Sequence, residues 1–454
     1  MKHFRPYNLD QRLLLAPDLR EWLPKDHLAS FVSDVVEEMD LSALLKRMVR
    51  QDGRGGERYH PAMLLKLLIY GYCIGRTSSR RIETATYDEV AFRVLSGDQH
   101  PDHDTIADFR RQYLMELAAL FVQVLELCQK AGLVKLGHVS LDGTKIKANA
   151  SKHKAMSYGR MSAAEHKLEE QVKALLAEAE HTDSEEDARY GKGKRIDELP
   201  EELRTRTARL SKIREAKAAL EREAKDKAKQ QAEEAKRKNK ERQGKPGKKH
   251  TVPEVQAAKP EDKAQRNFTD PESRIMLDGA SKAFVQGYNS QIVVDSAHQV
   301  IVALDVVQQS NDKQQLVPML EAVHATLGVN PQKLSADAGY FSDAAIAAAE
   351  ASGVQLFVPP DRHKHGAELP ASTGTQTRAD RMREKLRTDD GHDIYKMRKA
   401  IVEPVFGQIK EARGFRRFSL RGLQNVRGEW ALVCLAHNLL KLFKYGAGQE
   451  LCAA

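Results

Sequence analysis

From Asp26 to about Gly132 the apolar residues recur at helical spacing and no stretch alternates with period two, so the first part of the chain predicts as helices. In RYHPAMLLKLLIYGYCIGRTSSRRIETATYDEVAFRVLSG, Pro61 suits the first turn of a helix, and Met63, Leu64, Leu67, Leu68 and Tyr70 supply its apolar side. Gly75 and the Thr77–Ser78–Ser79 cluster mark a turn, with Ser78 or Ser79 capping a helix from about Arg80. A further helix, Asp88 to Leu95, stops at Ser96–Gly97, and Asp102, Asp104 or Thr105 caps the next. Helix, short turn, helix, with Arg80, Arg81, Arg110 and Arg111 beside the turns, suits DNA docking of the helix-turn-helix type. It also suits an ordinary helical bundle with surface arginines.

The pattern changes at HVSLDGTKIKANAS, His138 to Ser151. Val139 and Leu141 alternate as in a strand, which delivers Asp142 to the strand's end, where Gly143 and Thr144 turn the backbone. A lone carboxylate among apolar neighbours is either a turn cap or the ligand of a cation. From Met161 to about Lys249 the chain is rich in Ala, Glu, Lys and Arg, with Leu210, Ile213 and Leu220 close to a heptad. This predicts two charged helices around a break at Thr182–Pro200, followed by a mobile linker from Gly244 to Asp270.

Period two returns in FVQGYNSQIVVDS and QVIVALDVVQQ, a hairpin joined at Ser296–His298. The next elements read helix (DKQQLVPMLEAVHATLG), strand (KLSADAGYF), helix capped by Ser342, and strand (VQLFVPP). A polar segment from Asp361 to His392 predicts as a loop over the site, and two helices finish the chain, about Met397–Glu411 and Val426–Tyr445. The order describes an α/β protein: a mixed sheet with flanking helices, preceded by an all-α region and interrupted by a charged, coiled-coil-like helical arm. The domains expected are 1–133 (helical, DNA-binding), 134–155 with 272–445 (α/β), and 156–271 (arm and linker).

Composition sharpens two points. The 454 residues carry 73 Lys+Arg against 64 Asp+Glu, a net +9. Arg204 to Lys249 holds 18 basic and 7 acidic residues, a local +11, so the remainder of the chain is −2. Such a concentrated positive segment favours nucleic acid over a merely solvated face. The four cysteines show no CxxC pairing and the histidines no HExxH, which argues against a zinc enzyme or a disulfide framework. No run of eighteen apolar residues and no export signal is visible, so a cytoplasmic location is expected, with no membrane contact.

Acidic residues stand at three telling places. Asp142 and Asp337 (in SADAGYF) close strands, where α/β sheets bind ligands. Glu403, in RKAIVEPVFGQIKEARG, shares a helix face with Lys399, Phe406 and Lys410, and Pro404 would open or kink that helix. Asp295, Asp305 and Glu411 read as turn caps or surface charge. The chain resembles the DDE transposases of bacterial insertion sequences over most of its length. The resemblance rests on YHPAMLLKLLIYGY through TIADFRR, DGTKIKANAS, GYNSQIVVD, ADAGYF and RKAIVEPVFGQIK, in that order.

That resemblance implies an RNase H-like catalytic domain with Asp142, Asp337 and Glu403 as the catalytic, metal-binding triad. It implies Mg²⁺, with Mn²⁺ as substitute, and double-stranded DNA (element ends and target) as partner to a homodimer or higher multimer. Arg80, Arg81, Lys145, Lys399 and Lys410 are the expected DNA contacts. One branch of the family carries Tyr, two residues, Arg, three residues, Glu, six residues, Lys. Glu403 to Lys410 keeps the last gap, whereas Tyr395 and Arg398 lie one position too far upstream and Lys399 has the correct gap. The implied reaction is hydrolysis that frees 3′-hydroxyl ends, then their transfer to target DNA. The rivals are a catalytically silent DNA-binding derivative and a nuclease on the same fold.

Overall fold

A computed structural model describes residues 18–48, 58–190, 201–241, 251–279, 282–361 and 377–445. It is a mixed α/β structure with a mixed sheet and, among the described residues, 14 α-helices. The chain divides into two compact units, residues 1–146 with 289–454, and residues 147–288.

The first unit begins with seven helices: α1 (Leu28–Glu38), α2 (Ser42–Met48), α3 (Pro61–Cys73), α4 (Ser79–Asp88), α5 (Val90–Ser96), α6 (His103–Gln112) and α7 (Leu114–Lys130). Pro61 occupies the first turn of α3, where its missing N–H costs nothing. Gly97 closes α5 at φ 61°, and the Asp102 carboxylate caps α6 by accepting from the Thr105 N–H. The strand β1 (His138–Lys147) follows. It runs through Asp142 instead of ending there, because Gly143 serves close packing, not a turn. A Cβ on Gly143 would stand 2.2 Å from Gln291 Nε2 and 2.9 Å from Asn289 Oδ1.

The second unit holds β2 (Ala155–Ser157), α8 (Tyr158–Tyr190), α9 (Glu201–Glu241), β3 (Gln265–Asn267) and β4 (Arg274–Leu277). The helix α8 continues to Tyr190, past the expected break at Thr182, whose remainder, 191–200, lies outside the described residues. The two helices pair antiparallel. Met161 and Leu168 of α8 are buried with Leu210, Ile213, Ala216 and Leu220 of α9, and Arg214 and Lys217 bind Glu165 at 3.1 and 2.8 Å. The expected linker is ordered over part of its length: β3 pairs with β2, and Arg266 and Arg274 both reach Glu223. Residues 242–250 lie outside the described residues.

The strand β5 (Phe284–Asp295) leads back into the first unit. There follow β6 (Ile301–Val307), α10 (Leu316–Leu327), β7 (Lys333–Ala336), α11 (Asp343–Ala351), β8 (Gln355–Phe357), α12 (Arg378–Arg387), α13 (Asp389–Gly407) and α14 (Leu423–Lys444). The sheet order is β4-β5-β1-β7-β8, with β6 on β5. The pairs β4–β5 and β5–β6 are antiparallel, and β1–β7 and β7–β8 parallel. The segment 361–392, expected as a loop, is helical from Arg378, with Thr377 and Asp380 forming a capping box. Residues 362–376 lie outside the described residues.

The helix α14 packs against α3, α7 and β6. Trp430 is fully buried and its indole N–H donates to the Gln291 carbonyl at 3.2 Å. Asn438 bridges the N–H and carbonyl of Ile301, both at 2.8 Å. The buried Glu429 accepts from the Ser419 and Leu420 N–H groups at 3.0 Å. Among the described residues no helix is long and apolar enough to cross a membrane.

Candidate active site

The parallel register of β1 and β7 sets Leu141 opposite Ala336. The next residue on each chain segment is an aspartate, Asp142 and Asp337. The two carboxylates therefore leave neighbouring backbones side by side, at a parallel-strand spacing of about 4.8 Å. Asp142 Oδ1 accepts from the Gly143 N–H at 2.8 Å, and Asp337 Oδ1 from the Gly339 N–H at 2.7 Å. Burial pushes the Asp142 carboxyl up to about 6; Arg398 opposes that shift, while the charges of Asp337 and Asp312 add to it. A carboxylate that is desolvated and faces like charges is electrostatically short of a cation.

Arg398 supplies one positive charge. Its Nη1 lies 3.3 Å from Asp142 Oδ2, its side chain is 10% exposed, and Tyr395 stacks below it, ring centroid 5.8 Å from the guanidinium carbon. By spacing alone Lys399, not Arg398, has the correct gap to Glu403. The structure turns Lys399 outward and Arg398 onto Asp142. Helical geometry held the missing signal, since Tyr395 and Arg398, three apart, share a face.

Glu403 is exposed on α13, at the turn after Arg398. Pro404 leaves the Ala400 carbonyl without its helical N–H partner, and Gln299 Nε2 donates to that carbonyl at 3.0 Å. The helix continues into a π-helical turn, Gln408–Ala412. That turn carries Lys410, whose ammonium donates to the Lys145 carbonyl at 3.2 Å. The Lys145 ammonium stands 3.9 Å from Asp312 and its side chain is 13% exposed. Arg80 and Arg81 are exposed on α4. Arg110 is buried and donates to the Thr77 carbonyl at 2.7 Å, bracing the turn before α4 rather than facing solvent, and Arg111 pairs with Asp108.

The donor set fits a hard divalent ion. Such an ion is commonly held by one or two carboxylates, with waters and substrate phosphates completing its shell, and Asp142 and Asp337 are the two carboxylates that could hold it. Among the described residues, no group of three or more His, Cys, Asp or Glu side chains is drawn together to hold a metal. The structure thus brings Asp142 and Asp337 together, adds Arg398 and Asp312, and leaves Glu403 outside a ready-made three-ligand cluster.

Two family models match the chain. One, described as Transposase DDE domain, covers residues 277–439, from the end of β4 to within α14, and includes Asp337 and Glu403. The other, described as Transposase domain (DUF772), covers residues 17–112, which include α1 to α6 with Arg80 and Arg81. Asp142 lies between the two matched ranges. No curated protein and no solved structure matches the chain. The chain thus joins two transposase domains, a DDE domain among them, in a combination typical of bacterial insertion-sequence transposases.

Proposed function

We propose that the protein binds the ends of its insertion element, hydrolyses phosphodiester bonds there with Asp142, Asp337 and Glu403 as metal ligands, and joins the freed 3′-hydroxyls to target DNA. The observation that carries this reading is the β1–β7 register, which pairs Leu141 with Ala336, the residues just before Asp142 and Asp337. In this reading the catalytic part is RNase H-like (134–155 with 272–445), residues 1–133 grip DNA, and 156–271 form the arm. Two copies or more act together on the paired ends, in the cytoplasm.

Two divalent ions, Mg²⁺ or Mn²⁺, would supply activation of the attacking oxygen and stabilisation of the leaving one. The rest falls to side chains. Asp142 and Asp337 would present hard oxygens beside the C-terminal end of β7. Arg398 offsets the charge of Asp142 and keeps its carboxylate oriented before DNA arrives. Lys399, exposed one residue further on, and Lys410, beside the Lys145 carbonyl, offer positive charge to phosphates approaching α13. Glu403, exposed between them, would be the third carboxylate to hold the ions.

The test is to incubate labelled element-end DNA with the purified protein and Mg²⁺ or Mn²⁺, using wild type, Asp142→Asn, Asp337→Asn and Glu403→Gln. Wild type should yield cleaved and joined products, and each variant should bind DNA normally yet lose at least about a hundredfold in product, typical of a removed metal-ion contribution. Cleavage without joining would assign a nuclease. Normal cleavage by any one variant would remove that residue from the triad.

A further inference from the structure

Beside the two aspartates lies a group of buried polar side chains to which the reaction above gives no task. Asn289 Nδ2 and Gln291 Nε2, both on β5, donate to the same oxygen, Oδ1 of Asp312, at 2.7 and 2.8 Å. Asn289 Nδ2 also reaches the Gln309 carbonyl at 3.1 Å. The other end of the Gln291 amide, Oε1, accepts the Tyr340 hydroxyl. Asn289, Gln291 and Tyr340 are all fully buried. Gly143, the residue after Asp142, packs so closely on both amides that a methyl group would not fit.

An amide side chain carries a donor at one end and an acceptor at the other, and in a dry site its direction must be dictated. A carboxylate only accepts, so Asp312 compels both nitrogens toward itself. A reversed Gln291 would set its carbonyl against the Asp312 carboxylate and turn its NH₂ to the Tyr340 hydroxyl. Tyr340 belongs to the turn that opens with Asp337, and its own N–H donates to the Asp337 carbonyl at 3.1 Å. Fixing the ring therefore fixes that turn.

We infer that Asp312 is a positioning residue of the catalytic centre: it sets the direction of the Gln291 amide, which anchors Tyr340 and keeps Asp337 alongside Asp142. The inference rests on the proposed function only in taking that aspartate pair as the catalytic one. Asp312 acts through its neighbours, as outer residues do around metal sites. Loss of such partners typically costs about 10–100-fold in metal affinity or activity.

The test uses the full chain in four forms: wild type, Asp312→Ala, Gln291→Glu, and the double variant Gln291→Glu with Asp312→Asn. The double variant exchanges donor and acceptor while keeping charge and volume. Amide hydrogen exchange of residues 336–341, Mn²⁺ affinity by titration, and Mn²⁺-dependent cleavage of element-end DNA are measured on each. Asp312→Ala and Gln291→Glu should speed exchange in 336–341 and lose about 10–100-fold in Mn²⁺ affinity and cleavage. The double variant should do measurably better than Gln291→Glu in both, since the amide introduced at position 312 can donate to the carboxylate introduced at position 291 while Asn289 retains its bond to the Gln309 carbonyl, and a general loss of fold would not allow that. Wild-type exchange and affinity in Asp312→Ala, or a double variant no better than Gln291→Glu, would overturn the inference. A wild type that cleaves nothing while 336–341 still responds would overturn the reaction and leave the positioning role standing.

Discussion

His437 sits in the middle of α14 at 1% exposure, between Arg413 and the Gln299 carbonyl. Its Nε2–H donates to Gln299 O at 2.9 Å, and its Nδ1 accepts from Arg413 at 3.3 Å, so the ring is neutral with the proton on Nε2. Burial first, then the neighbouring guanidinium, hold its pKa down at about 3. The unfolded chain protonates near 6.5, so the folded state's advantage is complete above that pH. It is lost by about 1.4 kcal/mol per unit as pH falls from about 6.5 toward about 3. His437→Gln keeps a donor and an acceptor without the titration. Urea melts at about pH 7 and about pH 5 should show a smaller acid loss of stability for this variant than for wild type. Among single residues, Asp142 was legible because a carboxylate in an apolar strand demands a partner. Asp312 was not, because NDKQQ reads locally as a helix entrance, and its task depends on Asn289 and Gln291, 23 and 21 positions away.

At the scale of elements, the order of strands and helices after the arm was readable from the apolar runs that became β5, β6, α10, β7, α11 and β8, although β5 is buried on both faces and not on one. Two misreadings share one cause. Gly143 looked like a turn and Arg378–Arg387 like a loop, because local composition carries no record of which face a neighbour covers. Gly143 is required by Gln291, and α12 packs on β8 and α13. The polar interruption of α14 had the same hidden logic. Ile301 pairs with Val294 on one side of β6, and on the other Asn438 stands in for a strand by bonding both its N–H and its carbonyl. Asn438→Leu would leave those two buried backbone groups unpaired, at about 1–3 kcal/mol each. A loss of about 2–5 kcal/mol in denaturant melts is expected, and a change under about 1 kcal/mol would show that the amide is dispensable.

For the whole molecule, charge separates the parts more clearly than hydropathy does. Outside the arm the chain is nearly balanced, whereas Arg204–Lys249 carries the excess. The arm's helices were legible from composition, and Leu210, Ile213 and Leu220 from their spacing, because a long charged helix can bury only one stripe. Composition could not name the partner of the exposed face, since a lysine attracts phosphate and carboxylate alike. Lys225, Lys227, Lys229 and Lys236 are exposed on α9 and spare that buried stripe. Replacing all four with Gln should weaken DNA binding and flatten its dependence on log salt, by about 0.9 for each phosphate no longer neutralised. An unchanged slope in binding titrations from about 50 to about 200 mM salt would assign the arm to a protein partner.

The β1–β7 pairing has a consequence in time. Asp142 and Asp337 are neighbours in space but 195 positions apart in the chain. At about 5–20 residues per second, a ribosome delivers the second aspartate about 10–40 s after the first. The segment 147–288, a compact unit in itself, is completed within that interval. A translation product that stops before Asp337 carries the helices with Arg80 and Arg81 and the whole arm, yet only half of the aspartate pair. On the proposed function, such a product would hold DNA without cutting it.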